Sequence, residues 1–238
     1  MDKNQTLPLL TNGSNAKTIK SDKLGEYLTD ILYLSPYKKS GVNLCAFATK
    51  GCIPVCLDEA GRGVFDSVQK GRMRKSLFFI NDRYEFFERL IKDINKLIKK
   101  CEKTNKKPCV RLNGTSDLTW EKIKHNGKTI LEYFPQVQFY DYTKNPNRFE
   151  NLPKNYDLTF SYTEKTPFSF IEKVLKSKKN IAVVFRINIP NFFRGVRVIN
   201  GDKHDLRFLD QKGVIVGLTA KGKAKKDTSG FVVDYRNK

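Results

Sequence analysis

Short apolar segments that alternate with helix-length segments constrain the fold of this chain more than any other sequence feature. Strands that alternate with helices in this way are typical of βαβ units in a parallel sheet. Polar residues follow each apolar segment, as expected where a buried strand emerges at the edge of a sheet. The strands are predicted at residues 27–37, 109–112, 137–142, 158–162, 181–187 and 213–218.

About six strands are too few for a closed eight-stranded barrel. We therefore expect a single α/β domain over residues 23–238, with parallel βαβ units in an open sheet or a partial, incomplete TIM-like barrel and a cysteine-rich loop near the N-terminus. Residues 1–22 are polar and lack a hydrophobic period, so we expect a flexible lead-in there.

The most regular helical pattern runs from Phe86 to Cys101, where apolar residues recur at helical spacing. Asn81 or Asp82 is the expected N-cap of this helix. Because Cys101 belongs to the apolar stripe, we expect it in the core and not at a metal. Two shorter helices are predicted, at residues 118–125 and 168–177.

Three of the five cysteines, Cys45, Cys52 and Cys56, lie in one stretch broken by glycine and proline. Thiolates bind zinc and iron–sulfur clusters, and three ligands from one loop leave a coordination position for another residue, a water or a substrate. The C-x6-C-x3-C spacing favours a metal without identifying it, since it lacks the paired C-x2-C of zinc fingers. The alternatives are buried cysteines that act as small apolar side chains, and disulfide bonding.

The net charge of +20 predicts a polyanionic partner, and nucleic acid is the usual one for a single basic domain. Alternatively, the charge only keeps the chain soluble. We expect no membrane association and an intracellular location, because the sequence has neither a secretory signal nor an apolar run of ~18 residues. The sequence leaves the oligomeric state open.

Polar side chains at the ends of the predicted strands should meet at one edge of a parallel sheet. Asp117, Asp141 and Lys144 are the catalytic candidates, because carboxylates and amines there could move protons. The alternative is ordinary turn chemistry, or an ion pair of Arg186 with Asp117 or Asp141. The substrate-binding candidates are Arg111, Asn113, Arg186, Lys221 and Lys223.

A second polar group follows Asn200-Gly201, a pair that predicts a tight hairpin turn. Asp202, His204 and Asp205 are secondary candidates for a divalent metal site or an acid–base group. The alternative is a polar hairpin with a His–Asp hydrogen bond and an ion pair of Arg207.

Several motifs occur in a fixed order: N-x-C-x6-C-x3-C-L, a long helix, R-L-N-G-T-S-D, F-Y-D-Y-T-K, G-D-x-H-D-x-R-F-x-D and G-V-I-V-G-L-x-A-K-G-K-A. Together they resemble the "gene product 88"-like family of bacteriophages over residues 40–233. This resemblance implies a phage origin, one compact domain and expression in the cytoplasm of an infected host cell. The family has no established activity from which catalytic residues could be carried over.

The order of a first strand, a three-cysteine loop, a helix and a second strand also resembles radical-SAM barrels. That resemblance implies an iron–sulfur cluster that binds S-adenosylmethionine, although the spacing departs from C-x3-C-x2-C. Our leading hypothesis is a metalloenzyme, with an iron–sulfur cluster or zinc, that acts on nucleic acid or a nucleotide. A non-enzymatic, zinc-stabilised nucleic-acid-binding protein is the first alternative. The second is DNA base exchange, similar to tRNA-guanine transglycosylases, with Asp117 or Asp141 as the nucleophile.

Overall fold

The computed structural model describes residues 7–12, 16–22 and 24–235. The strands are β1 (Leu10–Asn12), β2 (Tyr27–Leu32), β3 (Lys107–Arg111), β4 (Lys124–His125), β5 (Lys128–Thr129), β6 (Gln138–Thr143), β7 (Tyr156–Ser161), β8 (Ile181–Phe185), β9 (Phe192–Phe193), β10 (Val196–Asn200), β11 (Ile215–Thr219) and β12 (Val232–Val233). Ten of them form one sheet in the order β1-β2-β3-β6-β7-β8-β11-β10-β9, with β12 paired to β8. Its edge strands β1 and β9 pair antiparallel and the other neighbours pair parallel, so the predicted mixed α/β class with a largely parallel sheet is confirmed.

Two long helices cover one face of the sheet and build the larger core. The helices are α1 (Ala16–Asp22), α2 (Asp66–Asn81), α3 (Arg83–Lys103), α4 (Ile130–Tyr133) and α5 (Phe168–Lys176). The predicted long helix corresponds to α3, and the side chain of its N-cap Asp82 accepts from the amide of Glu85 at 3.1 Å. No helix among the described residues is both long and apolar enough to cross a membrane.

The opposite face of the sheet carries a smaller core. Cys109 and Tyr140 pack there against Leu206, beside the half-buried rings of Tyr27 and Phe208. Leu206 belongs to the chain that leaves β10 and crosses this face before β11 begins. The central strands are therefore buried on both sides, which explains why they read as nearly continuous apolar runs in the sequence.

The helix predicted at residues 118–125 is wrong, since this stretch forms turns and then β4. The side chain of Asn113 explains the difference. Its Oδ1 accepts from the amide of Leu118 at 2.9 Å and from the indole of Trp120 at 3.1 Å. Both groups are thereby held in a loop, because a side-chain acceptor competes with helical hydrogen bonding.

The hairpin predicted at Asn200-Gly201 is also wrong, because β10 pairs parallel with β11 there. The amide of Gly201 donates to the carbonyl of Gly217 at 2.8 Å and so extends the parallel register by one residue. The tight hairpin lies one strand earlier, between β9 and β10, with Arg194 and Gly195 as its turn.

The strand β1 draws the N-terminal segment into the sheet. The amide of Leu9 donates to Asp93 on α3 at 2.6 Å, and the ammonium of Lys75 donates to the carbonyl of Leu9 at 2.6 Å. Burial lowers the pKa of Lys75 to about 8. The lead-in predicted over residues 1–22 thus contains a paired strand and a helix, while residues 1–6 and 13–15 lie outside the described residues.

Two leucine truncations test the position of the main core. Leu90 on α3 is fully buried, whereas Leu77 on α2 is 41% exposed. We expect Leu90→Ala to lower the free energy of unfolding by about 2 to 5 kcal/mol, because the lost contacts leave a cavity. Leu77→Ala removes the same atoms and should lower it by less than about 1 kcal/mol. Urea titrations of both variants measure the difference, and equal losses would contradict this placement of α3.

Candidate functional site at the carboxyl edge of the sheet

The three clustered cysteines lie in the connection between β2 and α2. Only short 3-10 turns interrupt this connection, at Ile53–Val55, Leu57–Glu59 and Gly61–Val64. Cys45, Cys52 and Cys56 are half-buried, and all five cysteines of the chain are free. The structure therefore has no disulfide here, and the three thiols remain available as ligands.

This connection is fixed to the ends of two parallel strands. Glu164, which follows β7, accepts from the hydroxyl of Thr49 at 2.9 Å and from the amide of Gly51 at 3.0 Å. The amide of Asp117, which follows β3, donates to the carbonyl of Leu44 at 2.9 Å. The cysteine connection thus lies across the carboxyl edge of the sheet.

A buried carboxylate holds the other end of the connection. Asp58 is fully buried and pairs with Arg72 on α2 and with Lys39, the latter at 2.8 Å. The neighbouring Glu59 pairs with Lys223, one of the predicted substrate-binding residues. Lys223 therefore joins the cysteine connection to the chain that follows β11, whatever further role it has.

The thiols share their surroundings with the ammonium of Lys144, which follows β6. Burial raises the pKa of Cys45 to about 12 and also raises that of Cys56. Burial lowers the pKa of Lys144, but Asp117 and the three cysteines, when these are thiolates, outweigh this effect and raise it. The five groups therefore lie close enough for their charges to act on one another, and Lys144 is the cation among them.

Asp117, a predicted catalytic residue, accepts three hydrogen bonds. It accepts from the hydroxyl of Thr143 at 2.8 Å, from the amide of Lys144 at 2.8 Å and from the guanidinium of Arg148 at 2.9 Å. Arg148 is fully buried and also binds Glu121 through two nitrogens, at 2.9 and 2.8 Å. These contacts make Asp117 a positioning group that sets the backbone of Lys144.

Asp141, the second predicted carboxylate, is fully buried behind this edge. It accepts from the amide of Asn113 at 2.7 Å and from the hydroxyl of Tyr156 at 2.9 Å, and Tyr156 in turn accepts from Arg148 at 2.9 Å. Burial raises the pKa of Asp141 to about 7, although Arg111 and the two hydrogen bonds act in the opposite direction. Asn113, predicted to bind substrate, uses its amide here to hold Asp141 in place.

Arg111 is held on the opposite face of the sheet by a buried partner. Its guanidinium donates to Asp205 at 3.0 Å and lies 4.7 Å from the ring centre of Tyr142. Asp205 also accepts from the hydroxyl of Tyr140 at 3.1 Å. Arg111, predicted to bind substrate, is thereby paired inside the protein.

The three secondary candidates face different partners. Asp202 accepts from the amide of Thr219 at 2.9 Å, and His204 lies 3.8 Å from Asp210, while Asp205 binds Arg111. Within residues 7–12, 16–22 and 24–235, no group of three or more His, Cys, Asp or Glu side chains has the geometry to hold one metal ion.

The remaining candidates lie farther along the same edge. Arg186, at the end of β8, donates to the carbonyls of Lys225 and Asp227 at 2.7 and 2.6 Å. It also pairs with Asp234 at 3.3 Å, and the ion pair with Asp117 or Asp141 that was the alternative interpretation is not present. Lys221 is exposed just after β11.

Sequence reasoning missed Arg148 and Glu164 as site residues. Glu164 could have been found, because it stands four residues into the polar run that closes a predicted strand. Arg148 lies in a short 3-10 turn between β6 and β7, where no local pattern indicates burial.

The family model for Gene product 88 matches residues 8–235, which is nearly the whole chain. The chain belongs to the gene product 88 family of phage proteins. Comparisons with curated proteins and with solved structures give no significant match for this family member. The phage origin implied by the ordered motifs is thereby confirmed.

Replacement of Arg148 tests the buried network. Arg148→Met leaves two nearly buried carboxylates, on Asp117 and Glu121, without their cation. We expect a loss of about 3 to 5 kcal/mol in the free energy of unfolding. Lys70→Met breaks an exposed pair with Asp66 and should change it by less than about 0.5 kcal/mol. Urea titrations provide the measurement, and a loss in Arg148→Met no larger than in the control would contradict the network.

The raised pKa of Asp141 predicts a pH dependence of stability. The unfolded chain releases this proton near pH ~4, whereas the folded protein keeps it up to about pH 7. The wild type should therefore lose a few kcal/mol relative to Asp141→Asn as the pH rises through this window. Denaturant titrations at several pH values measure this difference in the free energy of unfolding. A difference that stays constant, or a wild type that gains stability relative to the variant as the pH rises, would contradict the assignment.

Proposed function

We propose that this phage protein is a metalloenzyme whose centre is held by Cys45, Cys52 and Cys56 and whose substrate is nucleic acid or a nucleotide. The observation that carries the proposal is the placement of three free thiols at the carboxyl edge of a parallel sheet, near the half-buried ammonium of Lys144. Ligand sites of α/β sheets lie at this edge. Within an infected cell, the proposed place of action is the host cytoplasm.

An iron–sulfur cluster is the group that we propose for these thiols. A single zinc ion needs ligands that converge on one point, and the described side chains form no such group. A cluster distributes its thiolate ligands over several iron atoms and does not require this convergence. The donor set fits a cluster in its chemistry, since three thiolates from one connection leave one iron open.

The residues around the thiols have defined parts in this proposal. Ligand thiols must lose their protons, and burial opposes this for Cys45 and Cys56. The ammonium of Lys144 offsets the resulting negative charge, and Asp117 fixes the backbone that carries it. Glu164 binds Thr49 and Gly51, and this keeps the backbone of the cysteine connection in place when the thiols lose their protons.

We further propose that the sheet is curved into a partial barrel and that the open iron position takes S-adenosylmethionine. The chain after β10 crosses the face opposite α2 and α3, where Arg111 and Asp205 pair, and a curved sheet would enclose this pair. Such a cluster would supply one-electron chemistry to its substrate. Base exchange by Asp117 or Asp141 receives less support, since both carboxylates are held by hydrogen bonds inside the protein.

The rival is a zinc-stabilised protein that binds nucleic acid without catalysis. The net charge of +20 is the observation that favours it, because phosphate neutralisation needs no reactive centre. Both hypotheses share the polyanionic partner and differ in the metal and in whether the protein is an enzyme.

Serine variants of the five cysteines test the centre. Cys45→Ser, Cys52→Ser and Cys56→Ser should each lose the bound metal, because each removes one ligand. Cys101→Ser and Cys109→Ser are matched controls that should retain it, because both side chains are buried in the cores of the sheet. Iron, sulfide and zinc are measured per chain after purification without oxygen.

The metal analysis separates the two hypotheses. A brown protein with iron and sulfide supports the cluster, whereas a colourless one with about one zinc per chain supports the rival. Full metal retention in any of the first three variants, or a wild type with no metal at all, would overturn the centre at these cysteines.

A further inference from the structure

The hairpin between β9 and β10 has an unusual residue at its tip. Phe193 pairs with Val196, which leaves Arg194 and Gly195 as a two-residue turn with φ values of 50° and 76°. Turns of this kind need positive φ at both positions, so asparagine and glycine are preferred there. Arginine at the first position is disfavoured in this backbone region. Strain at a surface position suggests that the side chain is needed where it lies.

The guanidinium of Arg194 lies close to two aromatic rings. It is exposed, 5.4 Å from the ring centre of Phe193 and 5.6 Å from that of Phe168. Arg197, three residues along the hairpin, is exposed as well. Neither arginine has an ion pair among the residues that the structure describes. As far as the described residues go, both charges are therefore available to an anion.

Exposed aromatic rings lie on both faces of this hairpin. Phe192 pairs with Arg197 on one face, and Phe168 and Tyr235 lie on the other face, beside Phe193 and Arg194. Phe192 is 58% exposed, Phe168 42% and Tyr235 40%, the last in edge contact with Phe193. Large exposed apolar side chains that cluster on a surface mark an interaction site. We name Phe168, Phe192, Arg194, Arg197 and Tyr235 the hairpin surface.

A cavity of about 350 Å³ adjoins the hairpin surface. Arg194 lines it together with Tyr162 and Arg186, while its acidic lining residue, Asp234, pairs with Arg186 at 3.3 Å. Gly230 also lines it, next to Ser229, and a side chain at Gly51 in the cysteine connection would overlap Ser229. The cavity therefore extends from Arg194 of the hairpin surface to Gly230, the residue after the Ser229 that Gly51 approaches.

We propose that the hairpin surface and its cavity bind single-stranded nucleic acid. Unpaired arginines attract phosphates, and exposed rings stack on bases, which is the combination used for single strands. A duplex hides the faces of its bases and would leave the rings without partners. The proposal rests on the nucleic-acid partner of the proposed function and specifies where that partner binds, and it does not depend on the metal.

Fluorescence anisotropy with labelled oligothymidine, oligouridine and a mixed-sequence duplex tests the proposal across a salt series. The wild type should bind both single strands more tightly than the duplex. Arg194→Asn combined with Arg197→Gln should weaken single-strand binding about tenfold and reduce the slope of log K against log salt by about 1.4, corresponding to two phosphates. Phe192→Ala should weaken it by about tenfold through lost stacking.

The choice of variants separates binding from folding. Asparagine suits the turn better than arginine, so Arg194→Asn removes the guanidinium without weakening the hairpin. Lys92→Gln combined with Lys99→Gln on α3 removes the same charge from a distant exposed face and should change affinity by less than about twofold. Equal weakening by this control pair, tighter duplex binding or no binding by the wild type would overturn the proposal.

Titration of Cys52→Ser distinguishes this proposal from the cysteine centre. Single-strand binding that survives in this variant supports the hairpin surface even if the metal analysis overturns the centre. Binding that is lost in Cys52→Ser but retained in the hairpin variants would place the nucleic acid elsewhere and overturn the hairpin surface alone.

Discussion

The buried guanidinium of Arg148 is the interaction on which the carboxyl edge of the sheet depends. It donates to Asp117 after β3, to Glu121 in the following loop and to Tyr156 on β7. Arginine is the only side chain with five N–H donors in one planar group. A lysine would supply one point charge and could not donate hydrogen bonds to all three partners at once. Because the edge is tied together in this way, the backbone of Lys144 is fixed before any ligand arrives.

Much of the fold could be predicted from hydrophobic periodicity. The α3 pattern and its cap at Asp82 are local features, and the apolar strands followed from burial on both faces of the sheet. The failures occur where long-range contacts dominate. The helix α2 buries Arg72 and Ser76 along with Phe79, so its sequence lacks an apolar stripe. The side chain of Asn113 accepts hydrogen bonds from Leu118 and Trp120, and these contacts override the helical tendency of this stretch.

The sequence indicated which residues follow the strands at this edge, but not how they pair. The strand ends predicted a shared site of Asp117 and Lys144 with the cysteines, and the amide of Asp117 does donate to Leu44 in the cysteine connection. The function of these residues stays a prediction. Arg148 stands 31 residues beyond Asp117, and no local pattern links the two. The same holds for Arg111 and Asp205, which are 94 residues apart and meet only because the chain after β10 crosses the sheet. Charge partners of this kind depend on topology, and one sequence does not reveal them.

Both margins of the sheet end in short antiparallel strands, three residues in β1 and two in β9. A long parallel margin would present a row of unpaired amides and carbonyls that recruits strands from other chains. Asp93 and Lys75 bind the backbone of Leu9 and so attach the segment before β1 to the helices. Side chains as well as strand pairing therefore hold this margin in place. Among the described residues, a strand from another copy would therefore find only three backbone positions at β1 and two at β9 with which to extend the sheet.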